Sequence, residues 1–161
     1  MRGDMRLFRL VNSDIVEGSL LNLTQKSQYA LRAMFALAKR EGEGPMSVAA
    51  IAEAQAIPPR FLELILRDLR TAGYVASRRG PTGGYSLASP AASRTVGDII
   101  RLMQGSLDPV QCIENGEQSA CPLVDNCVFL GLWTRARDAV SEVYDKTTLR
   151  DLVEEERQAR P

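Results

Sequence analysis

Three cysteines, Cys112, Cys121 and Cys127, fall within sixteen residues in the order Cys-x8-Cys-x5-Cys. The residues between them are mostly polar or small, with Glu, Asn, Gln and Gly prominent. Structural cysteines favour apolar runs, whereas thiols gathered on a polar loop suit a soft metal or an iron–sulfur cluster. The chain contains no histidine. That removes the commonest zinc ligand and the commonest general base. Three surface thiols, a zinc site with a further ligand and a thiol–disulfide switch are the alternatives to a cluster.

A second constellation carries charge. Arg60, Glu63, Arg67 and Arg70 are spaced three, four and three, so they share one helical face. Leu62, Ile65, Leu66 and Leu69 occupy the opposite one. Arginine pairs bidentately with guanine and neutralises phosphate, and glutamate accepts from the cytosine amino group. Arg78 and Arg79 follow, beside Gly80, Gly83 and Gly84, where a glycine-rich turn can approach a groove without side-chain clash. Formal net charge is zero, yet residues 60–79 carry five arginines against two acids, and residues 138–161 carry four cations against seven acids. A neutral total therefore conceals a basic head and an acidic tail. Taken alone, the helix would read as a solvated charged face; with the cationic hairpin behind it, DNA binding is the better reading.

The elements that position these groups are short. A helical stripe begins at Thr24 with Ala30, Ala33, Met34, Leu37 and Ala38, and Gly42, Gly44 and Pro45 end it. Ser47 is placed to cap a helix through Gln55, and Pro59 suits the first turn of the next, with Gly73 at its C-terminal end. Tyr74–Arg78 and Tyr85–Leu87 predict a β-hairpin. Thr95 with Asp98, and Thr148 with Asp151, make capping-box patterns. A longer amphipathic helix is predicted over Val128–Tyr144, with Val128, Leu132, Ala136, Ala139, Val140 and Val143 on one side, and Trp133 is expected to pack on the loop or a dimer seam. The fold class is mainly α with a small β-hairpin wing: a winged helix-turn-helix plus a long C-terminal dimerisation helix. The domains expected are an extension at 1–22, the reading module at 23–90, a connecting helix and cysteine loop at 91–127, and the dimerisation helix with its charged tail at 128–161.

No apolar run approaches the ~20 residues needed to span a bilayer. No signal-peptide pattern is evident, and an odd cysteine count argues for the cytoplasm and against a disulfide scaffold. No nucleophile–base pair is visible, so an enzyme is not expected.

The segments Leu23-Thr24-Gln25-Lys26-Ser27-Gln28-Tyr29-Ala30-Leu31-Arg32-Ala33-Met34, Phe61-Leu62-Glu63 and Arg79-Gly80-Pro81-Thr82-Gly83-Gly84-Tyr85 resemble the Rrf2 family of bacterial transcription regulators. The likeness runs from about Leu23 to Val153. It implies a homodimer that binds double-stranded DNA at a palindromic operator, with Arg60 and Glu63 facing bases and Arg79 reaching the minor groove. It also implies a [2Fe-2S] or [4Fe-4S] cluster held by Cys112, Cys121 and Cys127, whose state sets operator affinity in response to redox state, iron or nitric oxide. In some members a histidine completes the ligand set where this chain has Leu130; in others an acid does so where it has Gln28. Glu114, Glu117, Asp125, an N-terminal acid such as Asp14, or a position left to solvent or a small ligand are the candidates that remain. Pro58 departs from the family's frequent serine before the recognition helix. Cluster-free members respond to thiol oxidation, a small molecule or a partner protein, and that is the alternative.

Overall fold

The computed structural model describes residues 23–110 and 126–159. Its first helix, α1 (Gln25–Lys39), is capped by Thr24, whose hydroxyl accepts from the Ser27 N–H. Ala30, Ala33, Met34 and Leu37 are buried, and the small alanines let several partners pack closely on α1. These partners are α2 (Val48–Gln55), α3 (Pro59–Thr71), α4 (Val96–Gln104) and α6 (Leu149–Ala159). Ile51 from α2, Leu62, Leu66 and Leu69 from α3, Ile99 from α4 and Leu149 from α6 are wholly buried in that core. Each such side chain stabilises the fold by about 1.5–3 kcal/mol.

Ser47 caps α2 through the Ala50 N–H, as its position in the sequence suggests. Ala56 closes α2 in the left-handed region, at φ 48, and turns the chain into α3. Gly73 follows α3 at φ 75. The hairpin pairs β1 (Val75–Arg78) with β2 (Gly84–Leu87) antiparallel, Val75 opposite Leu87 and Arg78 opposite Gly84. One feature of the wing is invisible to local patterning. Met46 bridges Tyr85, with both backbone N–H···O bonds at 2.8 Å, so the loop before α2 pairs with the outer edge of β2. A side chain at residue 84 would lie 2.1 Å from the Met46 carbonyl oxygen, and φ there is +149, so only glycine fits.

Behind the wing, a short 3₁₀ turn (Ala91–Ser93) leads to α4. Its capping box is complete: Thr95 Oγ1 accepts from the Asp98 N–H, and the Asp98 carboxylate accepts from the Thr95 N–H. The long helix α5 spans Leu130–Lys146, two residues later at each end than its pattern suggests. Cys127, Val128 and Phe129 offer no side-chain cap, so the chain turns once, with the Leu130 N–H bonded to the Cys127 carbonyl, before helix is established. After α5 comes α6, the short last helix that the Thr148–Asp151 pattern marks. Leu149 and Val153 belong to the core around α1, and Thr95 and Thr148 form a bridge between the starts of α4 and α6. Glu41 fixes this corner by accepting from the Ala91 N–H (3.0 Å) and from Arg150 Nη2 (2.5 Å).

Candidate nucleic-acid interface and cysteine loop

The leucine stripe dictates how α3 sits. With Leu62, Ile65, Leu66 and Leu69 turned into the core, Arg60, Glu63, Arg67 and Arg70 are all exposed on the outside. Arg78, Arg79 and Gly80 are exposed on the wing, and Gly83 and Gly84 are half-buried at its tip. Arg70 Nη1 reaches Ser77 Oγ at 3.5 Å, which links the end of α3 to β1 and sets helix and wing on one side of the molecule. Arg94 stacks on Tyr74 with its guanidinium carbon 4.2 Å from the ring centroid, steadying the base of the hairpin.

The electrostatics favour a polyanion. Arg60, Arg78 and Arg79 meet no carboxylate among the described residues. Of the two acids of α3, Glu63 and Asp68, the latter is held by Lys26 at 2.8 Å. The hydrogen bond from Lys26 holds its carboxyl below the usual range against a partial desolvation penalty, and Arg67 adds to the effect. Its charge is therefore shared by Lys26 and by Arg67, whose Nε lies 3.7 Å away, and Arg60, Arg78 and Arg79 are left uncompensated by it. At the front of α3, Pro58 provides no side-chain cap and Pro59 occupies the first turn. Neither has an N–H to offer, which leaves fewer backbone donors for an anion at this helix end.

Of the thiols, Cys112 and Cys121 lie outside the described residues, as do the acids Asp14, Glu114, Glu117 and Asp125. Cys127 is a free, half-buried thiol three residues before α5. Among the described residues no three His, Cys, Asp or Glu side chains converge on one point. The donor set still fits a cluster: cysteine sulfurs are soft ligands, and Cys127 is free among the described residues. Gln28 is exposed and donates to the Leu23 carbonyl at 2.9 Å.

Sequence patterning missed the link between this segment and the rest. At its near end Asp108 is buried, takes a hydrogen bond from Ser106 Oγ, and faces Arg137 Nε of α5 at 3.8 Å. Arg101 of α4 clasps Asp145 of α5 through two bonds of 2.6 and 2.8 Å. The segment that carries the cysteines thus enters against α5 and leaves into α5. No residue of that helix is buried, and Val128 (84% exposed), Phe129, Leu132 and Val143 (60%) form an open apolar surface at its start and along its length.

An exposed cationic helix beside a cationic wing, on a tri-helical base, defines a winged-helix DNA-binding regulator. The comparisons agree: residues 23–155 match the Rrf2 family, described as iron-dependent transcriptional regulators, and the chain belongs to that family. It is 42% identical over 132 residues to the regulator CymR of Bacillus subtilis, covering 82% of this chain and 89% of that protein. The solved structure of CymR, described as the global cysteine regulator of B. subtilis, superposes with a TM-score of 0.69 over 83% of this chain and 97% of that one. The regulator IscR of Escherichia coli is 36% identical over 133 residues, 83% of this chain and 80% of that protein. A T. potens IscR structure superposes with a TM-score of 0.69 at 33% identity, over 88% of this chain and 92% of that one. The chain is a DNA-binding transcriptional regulator, and its relatives are regulators rather than enzymes. No described helix is long and apolar enough to cross a membrane.

Proposed function

We propose that the protein is a cytoplasmic homodimeric regulator whose affinity for a palindromic operator is set by the state of Cys112, Cys121 and Cys127. The observation that carries this is the direct run of the cysteine segment into α5, the helix with no buried residue and an open apolar surface. Self-association along α5 would cover that surface and relate two reading heads by a two-fold axis, about one DNA turn (~34 Å) or a multiple apart. In each half-site Arg60 and Glu63 face base edges from the first half of α3. Arg67, Arg70 and Arg78 neutralise phosphates, and Arg79, with Gly80, Gly83 and Gly84, enters the adjoining minor groove.

Cys112, Cys121 and Cys127 would hold an iron–sulfur cluster through their thiolates, and the cluster supplies a redox-active, ligand-labile centre. Arg137 and Asp108 then connect the near end of the segment to α5, and Cys127 connects its far end. A change at the thiols moves α5 and with it the spacing of the two heads. The test is iron and acid-labile sulfide content of protein purified without oxygen. Stoichiometric iron and sulfide, lost in Cys112→Ser, Cys121→Ser or Cys127→Ser, supports the proposal. Iron-free protein that cannot be reconstituted overturns the cluster and moves the sensing chemistry to the thiols themselves, a small molecule or a partner protein.

The likeness to CymR, named a cysteine regulator, favours a second reading in which the same fold responds to thiol oxidation, a small molecule or a partner protein. A regulatory effect that survives replacement of all three cysteines points to a small molecule or a partner protein.

A further inference from the structure

The outer face of α3 is not uniformly charged. Leu64 is four residues after Arg60 and three before Arg67, at the middle of the face opposite the buried leucines. It is 49% exposed, and its neighbour Phe61 is 56% exposed. Both are large apolar side chains that lie outside the buried core of the fold. Phe61 leans on Tyr29 of α1, ring centroids 6.5 Å apart and planes at 57°, so its orientation is fixed from behind. Together Tyr29, Phe61, Leu64 and Ile65 line an apolar hollow of about 360 Å³ between α1 and α3, with Lys26 and Arg67 at its rim.

We infer that Leu64, with Phe61 as the adjoining wall, is a specificity residue that contacts the 5-methyl group of a thymine in each operator half-site. This rests on α3 being the DNA-reading helix. The first half of such a helix is the part that meets base edges in the major groove. The thymine methyl is the one apolar group the major groove displays, and apolar side chains are its natural contacts. Arg60 and Arg67 flank Leu64 along the same face, so the arginine that faces bases and the arginine that neutralises phosphate together hold this side chain against the base edges. A protein partner on the same patch would have to bury the Arg60 cation, which meets no carboxylate among the described residues, whereas DNA neutralises it.

The test uses the full-length protein. Operators are selected from a random duplex pool, and each thymine of the selected half-site is replaced in turn by uracil, which removes only the methyl. At one position the parent should lose about fourfold in affinity, the worth of roughly one buried methyl-sized group. Leu64→Ala should bind thymine and uracil duplexes equally. Leu64→Gln, whose amide can pair with adenine, should shift the base preferred at that position. Three results overturn the inference while sparing the regulator: no uracil effect anywhere, an undiminished effect in Leu64→Ala, or a half-site without thymine. Failure to select any duplex sequence would instead refute α3 as a DNA reader, and the inference with it.

Discussion

Gly84→Ala is the substitution whose cost is most directly worked from the structure. The new methyl would lie 2.1 Å from the Met46 carbonyl oxygen and 2.9 Å from the Ser47 nitrogen, both backbone atoms with no flexible end to swing away. Ordinary contact is about 3.5 Å, so β2 and the Met46 loop must separate by more than an ångström. That breaks the two 2.8 Å bonds between Met46 and Tyr85, each with a net worth of about 1 kcal/mol. Alanine at φ +149 adds strain of about 1–3 kcal/mol. Together these predict a loss of about 3–5 kcal/mol, a fall in Tm on the order of 6–20 °C for a chain of this size. If the wing detaches rather than the domain unfolding, the loss appears in operator affinity, because Arg78 and Arg79 are carried on the hairpin. Gly80→Ala is the control: its φ is +110 but its surroundings are open, so it isolates the backbone strain. Thermal denaturation and operator titration of both variants decide the matter. A Gly84→Ala protein that melts within ~2 °C of the parent and binds DNA as tightly would refute the reasoning.

Three further outcomes follow from particular contacts. Thr95→Ala removes the acceptor for the Asp98 N–H and should cost about 1 kcal/mol, a drop of roughly 2–4 °C in Tm by calorimetry. Asp145→Asn breaks the clasp with Arg101; because the pair is largely exposed, the cost at neutral pH should stay below about 1 kcal/mol. Arg101 holds the Asp145 carboxyl below the usual range, so this contribution is present above the ordinary carboxylate pKa and lost as pH falls through the lowered one. Denaturant titrations should show parent and variant converging in acid, and a difference that grows in acid contradicts the pairing. Leu132→Glu with Val143→Glu places charge on the open surface of α5 and should give a monomer in sedimentation while leaving the core intact. An unchanged dimer would place the interface elsewhere.

Much of the fold is written locally. Thr24, Ser47, Thr95 and Thr148 each mark a helix start by a hydroxyl within reach of an N–H three residues on, and all four are seen to cap. The leucine stripe of α3 fixed which arginines face outward. What was not legible depends on residues far apart in the chain. Met46 is one residue between a proline and a serine, and no periodicity announces that it will bridge Tyr85. Glu41 and Arg150 are 109 positions apart and look like ordinary surface charges until the fold joins them. Leu149 and Val153 were hidden in an acidic stretch, where composition outweighed two buried side chains. Leu64 was masked by the arginines around it, since a search for cations passes over an apolar side chain on the same face.

The most direct test of the central proposal compares operator affinity for one preparation in two states, iron- and sulfide-loaded under nitrogen and stripped by chelation. Cys112→Ser/Cys121→Ser/Cys127→Ser protein is carried through the same treatment. The parent should change affinity between the two states by roughly 5- to 150-fold, the usual range of coupling between two sites, while the triple variant shows one affinity throughout. Equal affinity in both states of the parent, or a difference that persists in the variant, would contradict control through these thiols.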